Sequence, residues 1–307
     1  MMTYSTYIDT IGIQIDCNDT FTQHEVHNSI LGFSNSLSFY VTYKDYPIAP
    51  NSTIMKREYY IHKNNTTLAT IKTGFFTSGH AMSGYKQQYY VKVLFAGLKS
   101  YNSLLDKVSQ DYLFRICAYL NDRAIRFKLT ELDLAIDMLC PYENVLAVCT
   151  KKSPKTKYYK LGEIQKYATT TWIEDIPLKF KRDNAVLRSY VYDKTLKEAS
   201  KKNYLQSAIT RWELKLQAKY FNKYGFSIDS ITKALNRYHV MYFNNVSDKN
   251  SMIAAYNAYS SVQKREIKRL GFDNYRITPN IEYIQGFIET LLSVRSFDLA
   301  YGISNYK

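Results

Sequence analysis

The sequence has few of the residues that build disulfide or zinc scaffolds. Four cysteines (Cys17, Cys117, Cys140 and Cys149) occur among 307 residues, and no two of them form a CxxC pair. The five histidines include no pair separated by a single hydrophobic residue. Isolated cysteines of this kind usually pack as small hydrophobic side chains. A disulfide-stapled fold and a zinc finger are therefore excluded.

Long hydrophobic runs and phosphate-binding loops are also missing. No apolar run approaches the roughly 18 residues of a membrane-spanning helix, and the first residues, MMTYSTYIDT, lack the basic start and apolar segment of a signal peptide. No GK[ST] or GxGxxG motif follows a predicted strand. We expect a cytoplasmic protein with no membrane partner.

Positive charge and tyrosine are abundant instead. The chain has 41 Lys and Arg residues against 27 Asp and Glu residues, a formal net charge of +14, and it contains 30 tyrosines. Such a charge attracts polyanions, so nucleic acid is the leading class of partner. Tyrosines can stack on bases or fill a core. An A/T-rich genome would enrich lysine and tyrosine too, so composition leaves both explanations open.

The order of periodic segments predicts an α+β protein. TIGIQID alternates with isoleucines on one face, and YYVKVLFAG reads as a strand that ends at Gly97. NSLLDKVSQDYLFRICAYLND has helical spacing and is followed by the strand LTELDLAIDM, which makes a β–α–β unit in one sheet. From residue 220 the pattern is helical. We predict a catalytic domain over 1–219 with a β-rich N-terminal part, and a helical region over 220–307.

Three of the predicted strands carry polar side chains on one face. Successive side chains of a strand point to opposite sides of the sheet. If the three strands are neighbours, their polar faces form one surface. The strand LTELDLAIDM contributes Glu131, Asp133 and Asp137 to it, VLRSYVYDK contributes Arg188, Tyr190, Tyr192 and Lys194, and ITRWELKLQAK contributes Arg211, Glu213 and Lys215.

This surface can be interpreted in two ways. Carboxylate oxygens suit Mg²⁺ or Mn²⁺, and a cation beside a tyrosine stabilises the phenolate that would attack a DNA phosphodiester. That interpretation predicts a metal site at Asp133, Asp137 and Glu213. The alternative is a solvated antiparallel sheet on which acids and bases pair across strands.

The motifs TELDLAIDM, YVYDKTLKEA and TRWELKLQ, in this order, resemble the replication initiation factor family of rolling-circle plasmids and filamentous phages. That family has a strand T-R-x-D-x-A-x-D, a strand ending in Y-[DN]-K before a basic helix, and a strand R-x-E-[LI]. The likeness covers roughly residues 89 to 219. Two positions depart from the pattern: Glu131 stands where the family usually has arginine, and Tyr190 stands where arginine often precedes Y-D-K.

The resemblance implies an enzyme that nicks and rejoins one strand of origin DNA through a tyrosine. It implies a ferredoxin-like, relaxase-like sheet with helices on one face, and a requirement for Mg²⁺ or Mn²⁺. The nucleophile is open among Tyr192, Tyr190, Tyr158 and Tyr159, with Tyr192 slightly favoured. The predicted residues are Tyr192, Tyr190, Lys194 and Arg211 for catalysis, and Asp133, Asp137 and Glu213 for metal. Independently of the resemblance, the positive charge predicts DNA contacts at Lys151, Lys152, Lys155 and Lys157 of the basic cluster KKSPKTKYYK and at Arg188.

Partners and rival functions follow from the same features. Origin DNA, single-stranded or supercoiled, is the expected partner, and a host helicase and a second copy of the chain are further candidates. The first rival function is a non-enzymatic basic DNA-binding protein, such as a repressor, on the same fold. The second rival is a structural or RNA-binding protein whose tyrosines stack on bases.

Overall fold

The structure is a computed structural model that describes residues 3–47, 55–78, 86–99, 103–149, 170–172, 187–258, 260, 262 and 276–296. These residues form an α+β protein. No described helix is long and apolar enough to cross a membrane.

The strands are β1 Tyr4–Cys17, β2 Tyr40–Pro47, β3 Met55–Lys63, β4 Thr66–Ser78, β5 Lys86–Ala96, β6 Lys128–Met138, β7 Val145–Cys149, β8 Thr170–Trp172, β9 Leu187–Asp193, β10 Thr210–Leu216, β11 Tyr238–Tyr242 and β12 Arg276–Ile277. The helices are α1 Thr20–Ser36, α2 Ser103–Asp122, α3 Lys194–Ala199, α4 Ala218–Tyr224, α5 Ile228–Leu235, α6 Val246–Ala258 and α7 Ile281–Ser293.

The chain divides into two compact units. The N-terminal unit comprises Asp9–Leu132 with Gly286–Lys307, and the C-terminal unit comprises Asp133–Gln285 with Met1–Ile8. The boundary runs through β1, β6 and α7, so each of them contributes residues to both units. Residue 219, where the sequence suggested a domain boundary, lies inside the C-terminal unit.

The N-terminal unit contains strands in the order β2-β3-β4-β5-β1-β6. Ile11, Ile13 and Ile15 of β1 lie opposite Phe95, Val93 and Val91 of β5 in an antiparallel pairing, and all six side chains are buried. The predicted β–α–β unit is therefore present as β5, α2 and β6. Its two strands share the sheet but are not neighbours, because β1 lies between them.

Helices α1 and α2 cover one face of this sheet. Asp19 caps α1 by accepting a hydrogen bond from the backbone N–H of Thr22 at 2.7 Å. The hydroxyl groups of Ser34 in α1 and Tyr112 in α2 lie 2.6 Å apart. Helix α1 was not predicted from the sequence, because Val26 and Ile30 are its only buried apolar side chains and Phe21 is 69 % exposed, so no regular apolar stripe marks the helix.

The C-terminal unit has two sheets, one in the order β6-β10-β9-β8 and a smaller one in the order β12-β11-β7. Strand β11 lies in the region that the sequence predicted to be helical, so that prediction is wrong for Tyr238–Tyr242. Val240 and Met241 pair with Ala147 and Leu146 of β7 and are buried with them. Because β11 is buried on both faces, it lacks the apolar–polar alternation by which periodicity separates a strand from a short helix.

Candidate active site

The face shared by β6, β9 and β10 brings the predicted polar residues together. In the antiparallel pairing of β9 with β10, Tyr192 lies opposite Arg211, and Tyr190 lies opposite Glu213. All the side chains that meet here belong to the C-terminal unit. The alternation read from the sequence is therefore reproduced, with the tyrosines of β9 facing the same side as Arg211 and Glu213 of β10.

Arg211 and Asp137 form a buried, bidentate ion pair. Nε of Arg211 donates to Oδ1 of Asp137 at 2.6 Å, and Nη2 donates to Oδ2 at 2.9 Å. The arginine is 0 % exposed and the aspartate 6 %. Parallel hydrogen bonds between guanidinium and carboxylate give this pair its fixed geometry. Arg211 therefore holds Asp137 in place.

Asp133 is engaged by the next basic residue along β10. Nζ of Lys215 lies 2.5 Å from Oδ2 of Asp133 and 4.0 Å from Oε2 of Glu213. Lys215 is partly exposed, whereas both carboxylates are buried. One lysine therefore lies between two acidic groups of the site and partly neutralises both.

Glu213 accepts hydrogen bonds from two tyrosines. The hydroxyl of Tyr192 donates to Oε1 at 2.5 Å, and the hydroxyl of Tyr190 donates to Oε2. The two tyrosine rings are nearly parallel, with centroids 5.8 Å apart. Tyr192 is 2 % exposed, whereas Tyr190 is partly exposed. Of the two hydroxyl-bearing side chains, solvent therefore reaches Tyr190 more readily.

A lysine that the sequence analysis did not select completes this cluster. Nζ of Lys197 donates to the hydroxyl of Tyr192 at 3.1 Å and lies 4.3 Å from the centre of its ring. Asp193 caps α3 by accepting from the backbone N–H of Leu196 at 2.9 Å, and this cap starts the helix directly after β9. The sequence signal for this contact is Asp193. As an N-cap it starts α3 directly after β9, and the first turn of α3 places Lys197 beside Tyr192.

Lys194, which was predicted to be catalytic, is the first residue of α3 and is buried. Its ammonium group lies 2.9 Å from Oε1 of Glu198, one turn further along the helix. Burial alone would raise the pKa of Glu198, but hydrogen bonds from Lys194 and Asn203 lower it to about 2. The contact with Glu198 indicates that Lys194 stabilises α3, and Lys197 supplies the cation at Tyr192.

Positive charge keeps Glu213 ionised. Burial would raise its pKa, but the charges of Lys215 and Arg211 and the two tyrosine hydrogen bonds lower it to about 2. A carboxylate with so low a pKa is a weak base. Its main effect is to fix the direction of both tyrosine hydroxyls.

We expect the free energy of unfolding to fall as the pH is lowered from about 5 toward 2. The folded pKa of Glu213 lies below its unfolded value, so this stabilisation is complete above the unfolded pKa and is lost as the pH falls through the folded one. A shift of this size corresponds to about 3 kcal/mol. Urea unfolding of Glu213→Gln should therefore show a weaker pH dependence below pH 5 than the wild type. Glu25→Gln on the exposed side of α1 is the control, and an unchanged profile in Glu213→Gln would contradict the assignment.

The three carboxylates do not fit the predicted metal site as the structure describes them. Asp137 is bound by Arg211, Asp133 by Lys215, and Glu213 by two tyrosines. A divalent cation would have to replace these partners. The described ranges contain no group of three or more His, Cys, Asp or Glu side chains placed to hold a metal ion. The arrangement matches the cross-strand ion pairs of the alternative interpretation.

The remaining predicted residues lie elsewhere. Arg188 faces the same side of β9 as the tyrosines, opposite Lys215, and is partly buried. Glu131 belongs to the N-terminal unit, where it pairs with Lys92 at 2.6 Å. Six further residues lie outside the described ranges: Lys151, Lys152, Lys155, Lys157, Tyr158 and Tyr159.

Comparison with known proteins assigns no family. No protein-family model matches the chain, and a search of curated protein sequences finds no significant match. The resemblance to replication initiation factors therefore rests on the three motifs of β6, β9 and β10 with the helix that follows β9.

Proposed function

We propose that the protein is a DNA nicking and joining enzyme that initiates rolling-circle replication through a tyrosine, on a relaxase-like sheet. The order of the three motifs supports the proposal, and so do the basic composition and the contacts around Glu213. The observation that carries it is the pair of tyrosine hydroxyls that both donate to Glu213 with Lys197 and Lys215 beside them.

The chemistry begins with a tyrosine that is already oriented. Its oxygen attacks the phosphorus of a DNA phosphodiester, the bond from phosphorus to the 3′ oxygen breaks, and a 5′-phosphotyrosine link forms. The phenolic proton passes to solvent, because Glu213 orients the hydroxyl but is too weak a base to keep the proton, and the departing 3′ oxygen takes a proton from solvent. The ammonium group of Lys215 stabilises the charge on the attacking oxygen and on the phosphate, and Lys197 adds positive charge through its contact with Tyr192. Joining is the reverse reaction.

Tyr190 is the better candidate for the nucleophile. The sequence pattern places Tyr192 at the Y-D-K position, but that side chain is 2 % exposed, so a phosphate would have to displace its surroundings to reach it. Tyr190 is partly exposed and donates to the same carboxylate. In this assignment Tyr192 is a positioning residue that holds Glu213 and receives a hydrogen bond from Lys197.

Mg²⁺ or Mn²⁺ remains a prediction from the resemblance, and no step above depends on either ion. A cytoplasmic location, a host helicase partner and a homodimer are likewise proposals. The reaction class is the part of the proposal that one experiment tests directly.

Incubation with supercoiled plasmid that carries the protein's own coding region is expected to yield a protein–DNA adduct that survives denaturation. The adduct is separated on a denaturing gel, with and without Mn²⁺ and with a chelator. Loss of the adduct on chelation would support the predicted cation. Tyr204→Phe, at a tyrosine that is 78 % exposed, is the control and should leave the adduct unchanged. Failure of the wild type to form an adduct on a verified origin would refute the nicking function.

A non-enzymatic DNA-binding protein is the alternative that one observation favours. Asp133 and Asp137 already have cationic partners, as expected of a sheet face that is stabilised by cross-strand ion pairs. Lysine and arginine contacts to phosphates release counterions in both cases, so both functions predict salt-sensitive DNA binding. Such binding without a covalent adduct would support the non-enzymatic alternative.

A further inference from the structure

The N-terminal unit has a second sheet surface, and the site described above does not use it. Residues of β2, β3, β4 and β5 that point away from α1 and α2 form what we call the open face. The strand pairings put Tyr60 opposite Thr42 and Thr70, and put Tyr90 opposite Gly74. The open face comprises Tyr40, Thr42, Lys44 and Tyr46 of β2, Lys56, Glu58, Tyr60 and His62 of β3, Thr70, Lys72, Gly74 and Phe76 of β4, and Lys86, Gln88, Tyr90 and Lys92 of β5.

Aromatic rings cluster at two places on the open face. Tyr40 stacks on His62 with centroids 5.0 Å apart and an angle of 18° between the rings, and Tyr60, two residues before His62 on β3, lies 6.3 Å from it. Phe76 and Tyr90 form the second cluster, with centroids 6.3 Å apart at 28°. Tyr40 is 44 % exposed and Phe76 is 41 % exposed. Each cluster therefore has an exposed ring on which a planar group could stack.

Local contacts fix the orientation of these rings. Oγ1 of Thr42 lies 2.7 Å from Nε2 of His62. A Cβ atom on Gly74 would lie 2.5 Å from the hydroxyl oxygen of Tyr90, so the absence of a side chain at Gly74 lets the Tyr90 ring lie across β4. Rings held in this way lose little freedom when a ligand stacks on them.

The charge on the open face has one predominant sign. The open face carries five lysines against a single acid, Glu58. Glu58 is shared by Lys56 at 3.5 Å and Lys72 at 3.1 Å, so this group keeps a net positive charge. Lys92 pairs with Glu131 of the neighbouring part of the sheet, and Lys44 is exposed with its ammonium group 5.1 Å from the Tyr46 ring.

We propose that the open face binds single-stranded DNA, with bases stacked on Tyr40 and Phe76 and phosphates next to the lysines. The register places Lys44, Lys72 and Lys92 in one row between the two ring clusters. Exposed rings together with lysines are complementary to a polymer that carries both flat bases and negative phosphates. Duplex DNA does not match this surface, because its bases are already stacked. The inference deepens the proposed function by locating where a separated strand is held, and it rests on that function only for the choice of DNA over RNA.

Adjacent residues provide a matched pair of variants. Phe76 lies on the open face, and Phe75 lies on the opposite face of the same strand at 56 % exposure, with Tyr89 as its ring neighbour. Stacking is worth about 1–3 kcal/mol per base, so Phe76→Ala should weaken binding of a labelled oligothymidylate about five- to a hundredfold. Phe75→Ala should change it less than about twofold, since no base stacks there. Tyr40→Ala is expected to behave like Phe76→Ala.

Fluorescence anisotropy of full-length protein with labelled oligothymidylate, which contains no origin sequence to be cleaved, measures this binding. Affinity should fall as salt is raised, and Lys44→Gln should make that dependence shallower. An oligouridylate arm distinguishes DNA from RNA, and tighter binding of uridylate would overturn the choice of DNA. Equal losses for Phe75→Ala and Phe76→Ala, or no binding by wild-type protein, would overturn the inference.

The two proposals fail in different ways. Tyr190→Phe is expected to keep wild-type oligothymidylate affinity while forming no adduct, because Tyr190 is not part of the open face. If the wild type forms no adduct but the Phe76 effect is present, the nicking function is wrong and the strand-binding surface stands. If the adduct forms and Phe76→Ala binds as the wild type does, the open face is wrong and the nicking function stands.

Discussion

Tyr190→Phe is expected to abolish the covalent protein–DNA adduct, with a loss of about a thousandfold or more, because the variant has no attacking oxygen. The ring and its contact with Tyr192 are retained, and Glu213 keeps its bond from the Tyr192 hydroxyl. Folding and DNA binding should therefore be close to those of the wild type. The measurement is the yield of denaturation-resistant adduct on origin plasmid, alongside oligonucleotide affinity.

Tyr192→Phe is the matched comparison for this variant. It removes the second hydroxyl on the same carboxylate and also the acceptor of the Lys197 hydrogen bond. We expect reduced but measurable adduct, since this hydroxyl is buried and acts through Glu213. The opposite order, with adduct lost in Tyr192→Phe and kept in Tyr190→Phe, would identify Tyr192 as the nucleophile. Adduct in the double variant would direct the search to Tyr158 and Tyr159.

Arg211→Met is expected to lower the free energy of unfolding by about 3–5 kcal/mol, because it leaves the carboxylate of Asp137 buried without its cation. Methionine is apolar and similar in length to the arginine stem, so loss of packing contributes little. Arg211 also lies 3.7 Å from Glu213. The substitution therefore removes positive charge from a second buried carboxylate as well. Urea unfolding at neutral pH measures the effect.

A second arginine–aspartate pair provides the control. Arg57 donates to Asp45 with nearly the same bidentate geometry, through hydrogen bonds of 2.8 and 3.0 Å, but this pair is exposed to solvent. Water screens the exposed charges, so Arg57→Met should cost much less than Arg211→Met. Adding Asp137→Leu to Arg211→Met should recover most of the lost stability, since no unpaired charge then remains. Equal costs for the two arginine variants would show that burial does not govern the Arg211 pair.

The sequence predicted many of the helices and strands, and the elements that it did not predict have identifiable physical causes. Strands β1, β5, β6, β9 and β10 and helix α2 were predicted because their apolar residues repeat with the strand or helix period. Helix α1 was missed because few of its apolar residues are buried, and β11 was missed because it is buried on both faces and therefore does not alternate. Such segments acquire their conformation from what packs against them, which a single sequence does not show.

The alternation of side chains along a strand is a local steric property of an extended chain. The sequence alone therefore predicts that one side of the strands carries Tyr190, Tyr192, Arg211 and Glu213. Which of these groups meet depends on the packing of the whole unit. The register of the strands puts both tyrosine hydroxyls on Glu213, and the cap at Asp193 brings Lys197 to Tyr192. Strand neighbours and register depend on contacts between residues far apart in the chain. The same long-range packing buries Tyr192 and leaves Tyr190 within reach of solvent.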